Sequence, residues 1–316
     1  LLNMAAEGII LVASLASLFI LVYQFGFKYS AHVTHMLEAS RVYLLLAFFT
    51  GISLRYILKF KEIIQEKMLY LDIGIYFFLF AVLSGKVFFK EAIHQSLPYL
   101  SFLTEPLFVY FLLMLLSAIH LSRQTFTLLQ SHIKPSLLFL LSFVFVILVG
   151  SGLLMLPNAT VHGIHFVDAL FISTTSVCVT GLVVCDTGTY WSSFGHAVIL
   201  LLIQTGGLGV VTISASFTIL SGKKIGLSQR SIMAESVAAP QLSGVVRLTG
   251  FIVRVTLGIE LIGALLMAPV FCRDFGLFRG LWMSLFHSVS AFCNAGFDIL
   301  GTGNNLYPSL TSYAGS

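Results

Sequence analysis

Charged side chains are scarce in this sequence. Asp, Glu, Lys and Arg together make up 9% of its 316 residues, whereas hydrophobic residues make up 58%. A soluble domain carries about 25% charged residues because its surface must face water. A chain this poor in charge cannot cover itself with polar side chains. The composition therefore excludes a water-soluble globular protein and predicts a chain surrounded by membrane lipid.

Clustered basic residues and closely spaced cysteines are also missing. The net charge is +4 and the 17 Lys and Arg residues are scattered, which argues against nucleic acid as a partner. The nine histidines are scattered too, so neither a metal site nor another cofactor is expected. No nucleophile–base pair stands out, and we expect no enzyme activity. The cysteines lack C-x-x-C spacing and resemble small buried residues: Cys178, Cys185, Cys272 and Cys293.

Long apolar runs dominate the chain. A membrane-spanning helix needs about 20 mostly apolar residues. Seven stretches predict spanning helices, whereas two others are too short to cross. The predicted spans are 8–27, 41–58, 68–85, 100–119, 136–156, 193–222 and 248–272, and the short stretches are 166–177 and 281–293.

The two short stretches predict re-entrant segments. A helix of about 12 residues reaches about 18 Å, against a hydrocarbon core of about 30 Å, so it must enter and return on one side. Backbone at that depth is tolerated only where protein or a water-filled cavity surrounds it. With the N-terminus in the cytoplasm, ten basic residues lie inside and six outside. This excess favours that orientation, which places both short segments on the outer face.

The two short segments are copies of one unit. The preceding helices end in L-L-M-L-P at 153–157 and L-L-M-A-P at 265–269, an offset of 112. A three-residue difference in the connection explains why the segments themselves match at a larger offset. A duplication that serves packing alone is the alternative, but packing does not require a re-entrant segment. At offset 115 the matched pairs are Phe171–Phe286, Ser173–Ser288, Cys178–Cys293, Gly181–Gly296, Thr187–Thr302 and Gly188–Gly303.

A short helix followed by a glycine turn suits a cation site. The C-terminal end of a helix carries a partial negative charge, which favours a cation in the cavity beyond it, and Asp168 suits the opposite end of the first short helix. Glycine admits backbone conformations that let successive carbonyl groups face one way, and such carbonyls can replace the hydration shell of a potassium ion. The candidate ion-binding residues are Val179, Thr180, Gly181 and Leu182 in the first turn, and Asn294, Ala295, Gly296 and Phe297 in the second.

Five sequence motifs carry a family resemblance over roughly residues 136–306. S-V-C-V-T-G-L at 176–182 and H-S-V-S-A-F-C-N-A-G-F at 287–297 resemble the first and second filter segments of the TrkH/KtrB potassium-uptake family. Similar to its spanning helices are I-Q-T-G-G-L-G at 203–209, G-V-V-R-L at 244–248 and I-E-L-I-G-A-L-L at 259–266. The fold class that follows is an all-α integral membrane protein, with helix–re-entrant pore loop–helix repeats of the potassium-channel type after accessory transmembrane helices.

The resemblance implies potassium uptake across the plasma membrane, with potassium as the substrate. It implies that the carbonyl groups of Val179, Thr180, Asn294 and Ala295 line the ion path. Related proteins with serine at the position of Gly181 admit sodium, so this glycine favours potassium. Membrane lipid, a second copy in a homodimer, and a cytosolic nucleotide-binding regulatory subunit of the TrkA/KtrA type are the implied partners.

Family members have four such repeats in one chain, whereas only two are present here. We therefore expect a fragment that lacks the third and fourth repeats, although two chains could supply two repeats each. The domains expected are 1–133 with four accessory helices, 134–222 with the first pore repeat, and 223–316 with a second repeat truncated before its last helix. A membrane subunit with a structural role, or a less selective sodium/potassium transporter, remains an alternative function.

Two ionisable residues lie inside the predicted span 248–272. Arg254 and Glu260 are costly in the membrane unless they are paired or face a cavity. Either they support the filter or inner vestibule, or they pair with a neighbouring helix. The glycine pair at 206–207 lies within an apolar run without G-x-G-x-x-G spacing, which predicts close helix packing rather than a nucleotide loop.

Overall fold

A computed structural model describes residues 2–58, 69–87, 105–128, 135–209, 244–302 and 310–313, together with Thr212, Arg230 and Ala234. Within these residues the regular elements are helices, and an isolated antiparallel bridge pairs Thr160 with Trp191. The predicted all-α class is therefore confirmed for the described part of the chain. The helices are α1 (Leu2–Gly26), α2 (Ala31–Leu58), α3 (Leu69–Val87), α4 (Pro106–Leu128), α5 (Pro135–Leu154), α6 (Phe166–Val177), α7 (Thr187–Tyr190), α8 (Ser193–Leu208), α9 (Val245–Phe275) and α10 (Leu277–Phe292), followed by a 3-10 turn (Leu310–Tyr313).

Helices α1 to α4 belong to one compact unit. Helix α1 packs against α2 and α4, and α2 also contacts α3. Phe48, Leu79 and Leu113 are buried where these helices meet. Lipid offers apolar side chains no incentive to associate, so polar contacts add specificity. One of them joins the hydroxyl groups of Ser17 on α1 and Ser117 on α4.

Helices α5 to α10 belong to the second unit. Helix α6 packs against α5 and α8, while α10 packs against α9 and α8. Ile172, Ile203 and Phe286 are fully buried in the shared core. Helix α8 is therefore the element that contacts both of the shorter helices, α6 and α10.

Local sequence signals explain several helix ends. Pro106 and Pro135 occupy first helical positions, where the missing N–H would have no partner in any case. The Ser192 hydroxyl caps α8 by accepting a hydrogen bond from the Gly195 N–H at 3.1 Å. Gly276, with φ of 79°, separates α9 from α10. Its left-handed conformation ends one helix and starts the next within a single residue.

Among the described residues, three stretches are long and apolar enough to cross a membrane: Ala6–Gly26, Val33–Leu58 and Val245–Phe275. They fall on predicted spans. The predicted spans 68–85, 100–119 and 136–156 overlap α3, α4 and α5.

Several predicted boundaries differ from the structure. Helix α2 starts at Ala31 rather than at residue 41, and α4 runs on to Leu128 rather than ending at residue 119. Within the span predicted over 193–222 the helix that starts at Ser193 ends at Leu208, where Gly209 has a φ of 80°, and Thr212 beyond it is again helical. The second short helix, predicted over 281–293, is Leu277–Phe292 and starts four residues earlier, directly after Gly276. The first short helix, Phe166–Val177, has the predicted bounds.

Some sequence-based predictions lie outside the described residues. These include the pairing of Gly188 with Gly303 and the start of the third span at Met68. Six of the ten basic residues predicted on the inner side are also among them: Lys59, Lys61, Lys67, Lys134, Lys223 and Lys224. The division between the two pore repeats stays a prediction, as does the orientation of the N-terminus.

Candidate functional site: two glycine turns

The first glycine turn, residues 178–182, follows α6 directly. Three successive backbone N–H groups fold back onto carbonyl groups in the last turn of the helix, so the chain reverses tightly instead of continuing as a helix. The bonds run from Cys178 to Thr174 at 2.8 Å, from Val179 to Ser176 at 3.3 Å and from Thr180 to Thr175 at 2.9 Å.

The second glycine turn, residues 293–297, repeats this pattern after α10. Each donor and each acceptor lies 115 residues after its counterpart in the first turn. The bonds run from Cys293 to Val289 at 2.9 Å, from Asn294 to Ala291 at 3.0 Å and from Ala295 to Ser290 at 2.8 Å. The offset read from the sequence is therefore also the offset of the backbone hydrogen bonds.

Left-handed backbone conformations alternate along both turns. Gly181 and Gly296 each have a φ of 74°, whereas Val179 has 49° and Asn294 has 59°. A β-branched residue such as valine rarely adopts a positive φ, and strain of this kind clusters at functional sites. The alternation keeps successive carbonyl groups from following the helical direction and leaves them available to a ligand.

The two turns approach each other closely. A Cβ atom placed on Gly181 would lie 2.3 Å from the carbonyl oxygen of Ala295, whereas one placed on Gly296 would have Gly181 Cα as its nearest neighbour, at 3.8 Å. Only glycine fits at position 181 with this neighbour. The structure thus brings together backbone from both predicted sets of ion-binding residues.

The loops beyond the turns also meet. The Asp186 carboxylate accepts a hydrogen bond from the Thr189 N–H at 2.8 Å and so caps the short helix α7. The same carboxylate lies against Gly301, where a Cβ atom would approach its Oδ2 to 2.1 Å. Position 301 is the counterpart of position 186 at offset 115, so the pseudosymmetric contact extends beyond the glycine turns.

Two adjacent glycines of α8 support the ends of both short helices. A Cβ atom on Gly206 would lie 1.9 Å from the Val177 carbonyl oxygen, at the end of α6. One on Gly207 would lie 2.4 Å from Cys293 Sγ, at the end of α10. Small residues at such contacts let helices in a membrane approach closely. The predicted packing role of this glycine pair agrees with these contacts.

A serine attaches each short helix to the longer helix before it. Ser173 Oγ donates to the Ile147 carbonyl at 2.7 Å, and Ser288 Oγ donates to the Glu260 carbonyl at 2.6 Å. Each serine also contacts a glycine of that helix, Gly150 or Gly263. These acceptors and glycines match at offset 113, not 112. The stretch from Gly263 to Pro269 is one residue shorter than the stretch from Gly150 to Pro157, so the offset falls from 113 to 112 inside the helix, and the three-residue difference lies in the connection.

Glu260 lies behind the second glycine turn. Its side chain is 3% exposed, and Oε2 accepts a hydrogen bond from Gln204 Nε2 of α8 at 3.2 Å. Oε1 lies 3.9 Å from the thiol sulfur of Cys293, which donates to it and is the first residue of the turn. Arg254 is not in this cluster: its Nε donates to the Gly250 carbonyl of its own helix, and its side chain is exposed.

His287 is a buried residue that sequence reasoning left aside. Its Nδ1 lies 2.7 Å from the Met283 carbonyl and its Nε2 lies 3.3 Å from the Ile299 N–H. The N–H can only donate, so Nε2 accepts and Nδ1 carries the proton. The imidazole thereby ties the chain after the second turn to α10. Its counterpart at offset 115 is Ile172, so no repeat pattern could single it out.

The predicted ion ligands at the two turns are backbone carbonyl groups. Within the part of the chain that the structure describes, no three His, Cys, Asp or Glu side chains gather in a way that could hold a metal ion. Carbonyl oxygens are hard ligands that suit a weakly held monovalent cation.

Comparison with known proteins places this geometry in a family. The TrkH family, described as a cation transport protein, matches residues 143–309, which include α6, α8, α9, α10 and both glycine turns. The potassium/sodium uptake protein NtpJ of Enterococcus hirae is 41% identical over 174 residues, which cover 54% of this chain and 39% of that protein. The Ktr system potassium uptake protein B of Bacillus subtilis is 40% identical over 182 residues, covering 57% of this chain and 39% of that protein.

A third relative is Ktr system potassium uptake protein B of Vibrio alginolyticus, 38% identical over 160 residues that cover 51% of this chain and 35% of that protein. The chain therefore spans about two-fifths of the length of the curated relatives that it matches. The match takes in more than half of the chain, including every residue of both glycine turns, and it agrees with the motifs identified from the sequence. The chain belongs to the TrkH family of cation transport proteins.

Proposed function

We propose that this chain forms two walls of a potassium-selective filter and serves potassium uptake across the plasma membrane. The observation that carries the proposal is the repeated backbone geometry of the two glycine turns, at an offset of 115 residues and in direct contact through Gly181 and Ala295. In this proposal α6 and α10 are re-entrant pore helices. Ions move along their own gradients, and no bond is made or broken.

The chemistry of the turns supports potassium as the ion. A potassium ion is stabilised when carbonyl oxygens replace its hydration shell, without the charge of a carboxylate. The proposed oxygen ligands are the carbonyls of Val179, Thr180, Asn294 and Ala295. The C-terminal ends of α6 and α10 precede these carbonyls and add a favourable field for a cation.

Two walls do not close a ring around an ion, so the filter requires further walls. We propose that they come from further repeats of the same chain, with a second copy giving a homodimer. Two relatives have the words "Ktr system" in their names, which supports assembly with another component. A cytosolic nucleotide-binding regulatory subunit fits that role. Glu260 is proposed to hold the second wall in place through Gln204 and Cys293.

The substitution Gly181→Ser tests the proposal. We expect it to admit sodium and lower the potassium-to-sodium flux ratio, measured with the purified protein in liposomes. Gly163→Ser is the matched control: Gly163 also has a positive φ, 80°, but a Cβ atom there meets nothing within 4 Å. Unchanged selectivity in an active Gly181→Ser protein would count against the filter, as would an equal loss in the control.

A less selective sodium/potassium transporter is the second candidate. It is favoured by one observation, namely that a relative 41% identical to this chain is called a potassium/sodium uptake protein. The same flux measurement on the unsubstituted protein separates the two candidates. A ratio near one supports the less selective transporter, and a ratio far above one supports the potassium filter.

A further inference from the structure

We propose that Thr175 and Ser290 are positioning residues whose hydroxyl groups close the two glycine turns and so set which carbonyl oxygens face the ion. This inference rests on the proposed function and names residues that act through the turns rather than on the ion itself. Both side chains are almost fully buried, at 3% and 2% exposed.

In the first turn the hydroxyl group is an acceptor. The Leu182 N–H donates to Thr175 Oγ1 at 2.9 Å, and this bond joins the far end of the turn back to α6 across seven residues. A trans peptide group is planar, with its C=O opposite its N–H. Because the Leu182 N–H points toward α6, the Gly181 carbonyl of the same peptide group points away from α6. Thr175 thereby orients the carbonyl oxygen that directly follows the two proposed ligands of the first turn, Val179 and Thr180.

In the second turn the hydroxyl group is a donor. Ser290 Oγ donates to the Phe297 carbonyl at 2.6 Å, again across seven residues and at the same offset of 115. Here the oxygen itself is held against α10, so it is withdrawn from the ion path. The two hydroxyl groups thus act in opposite ways: one directs an oxygen outward and the other retains an oxygen.

The neighbouring hydroxyl groups do not share this role. Ser176 Oγ donates to the Ile172 carbonyl of its own helix at 2.7 Å, and Ser284 Oγ donates to the Gly280 carbonyl of its own helix at 2.8 Å. Both serines are as well buried as Thr175 and Ser290. They provide matched controls, because their removal takes a buried hydroxyl group from the same helix without touching a turn.

The test compares potassium and sodium fluxes through the purified protein in liposomes. Loss of a hydrogen bond of this kind changes an equilibrium by about 3- to 10-fold, so Thr175→Val and Ser290→Ala should lower the potassium-to-sodium ratio by about that factor. Thr175→Ser keeps the hydroxyl group and should restore the ratio. Ser176→Ala and Ser284→Ala should leave the ratio unchanged.

Hydrogen exchange gives a second readout that does not depend on transport. The Leu182 amide should be protected in the unsubstituted protein and should lose that protection in Thr175→Val. This measurement on the unsubstituted protein keeps the inference testable if Thr175→Val fails to fold. A Leu182 amide that exchanges as fast as an unstructured peptide overturns the inference.

The transport outcomes distinguish the two levels of the proposal. An unsubstituted protein that carries no potassium overturns the proposed function and the selectivity role with it. A selective unsubstituted protein whose Thr175→Val and Ser290→Ala variants keep full selectivity overturns the positioning role alone. Equal losses in the Ser176→Ala and Ser284→Ala controls overturn it as well, because they would indicate a general effect of removing buried hydroxyl groups.

Discussion

The two glycine turns have the same backbone but different surroundings. Leu182, at the end of the first turn, is 61% exposed, whereas its counterpart Phe297 is 2% exposed. Cys178, the first residue of the first turn, is exposed, whereas its counterpart Cys293 is half-buried against Glu260. The second turn is therefore surrounded by other residues of the chain, whereas the first turn is exposed at Cys178 and Leu182.

This difference separates what the duplication preserves from what it leaves free. The N–H to carbonyl bonds and the hydroxyl closure recur in both copies, because they determine the path of the backbone. The supporting side chains differ: Glu260 has Ile147 as its counterpart, and His287 has Ile172. Equivalent backbone geometry is thus reached with polar support on one side and apolar support on the other.

Replacing the two turn glycines should give the largest effect and break the equivalence. Gly181→Ala adds a Cβ atom 2.3 Å from the Ala295 carbonyl oxygen, which must move, in addition to the strain at a φ of 74°. Gly296→Ala has the same φ, but its Cβ atom makes only an ordinary van der Waals contact, with Gly181 Cα at 3.8 Å. We expect Gly181→Ala to abolish selective potassium flux and Gly296→Ala to reduce it, measured in liposomes. The opposite order would refute the contact between the turns.

The glycine pair of α8 should show the next largest effect. Gly206→Ala places a Cβ atom against the Val177 backbone, which no substitution can remove. Gly207→Ala places one against the Cys293 side chain, which a substitution can shorten. We expect Gly207→Ala, but not Gly206→Ala, to recover part of its thermal stability when combined with Cys293→Ala, which removes the sulfur atom at 2.4 Å but keeps the Cβ atom at 2.8 Å. Thermal unfolding of the purified protein measures this, with Cys293→Ala alone as the control. Equal recovery of both variants would contradict the assigned contacts.

Removing the carboxyl group behind the second turn should destabilise the protein moderately. Glu260→Ala leaves the half-buried Gln204 amide without its acceptor, which costs about 1–3 kcal/mol. Glu260→Gln keeps an acceptor oxygen and should cost less than about 1 kcal/mol. Chemical unfolding of the purified protein checks both variants. A Glu260→Gln variant as unstable as Glu260→Ala would mean that the negative charge, and not the hydrogen bond, matters.

Loss of the hydrogen bond between the Ile299 N–H and His287 should lower stability, and this bond has no counterpart in the first repeat. His287→Leu leaves the Ile299 N–H without its partner at a cost of about 1–3 kcal/mol, and hydrogen exchange at Ile299 should accelerate. Ile172→Leu, the matched change in the first repeat, conserves volume and should cost less than about 1.5 kcal/mol. An Ile299 amide with unchanged protection in His287→Leu would show that the imidazole does not hold this segment.

Thiol modification should give the smallest effect and report the difference in exposure directly. We expect a water-soluble maleimide at pH 7 to modify the exposed Cys178 faster than the half-buried Cys293. Cys185 should react slowly, because burial, followed by the nearby Asp168 carboxylate, raises the pKa of its thiol to about 11. Its reactivity should therefore rise only as the pH approaches that value. Mass spectrometry of the labelled peptides provides the rates.

The sequence predicts the helical class, the bounds of α6 and the position of both turns. Length limits and repeated residues carry this information, because a helix too short to span and a glycine at a fixed offset are visible without coordinates. The four residues missed at the start of α10 follow from Gly276, whose left-handed conformation allows a new helix to begin at once. Apolar periodicity does not reveal such a break.

The supporting residues were harder to predict. Glu260 was identified because an ionisable side chain in an apolar span is conspicuous. Arg254 has the same property, but it lies outside the cluster around the second turn. Thr175, Ser290 and His287 belong to polar residues that are common on helices, and their roles depend on contacts across seven or twelve residues. Such contacts depend on how the chain turns, which the repeat pattern alone does not determine.

Helix α8 couples the positions of the two glycine turns. Gly206 and Gly207 are consecutive residues of one rigid rod, and each has the end of a different short helix against it. A rotation or shift of α8 by a fraction of an ångström therefore displaces Val177 and Cys293 in the same instant. A displacement of α8 would therefore act on the backbone of both glycine turns together.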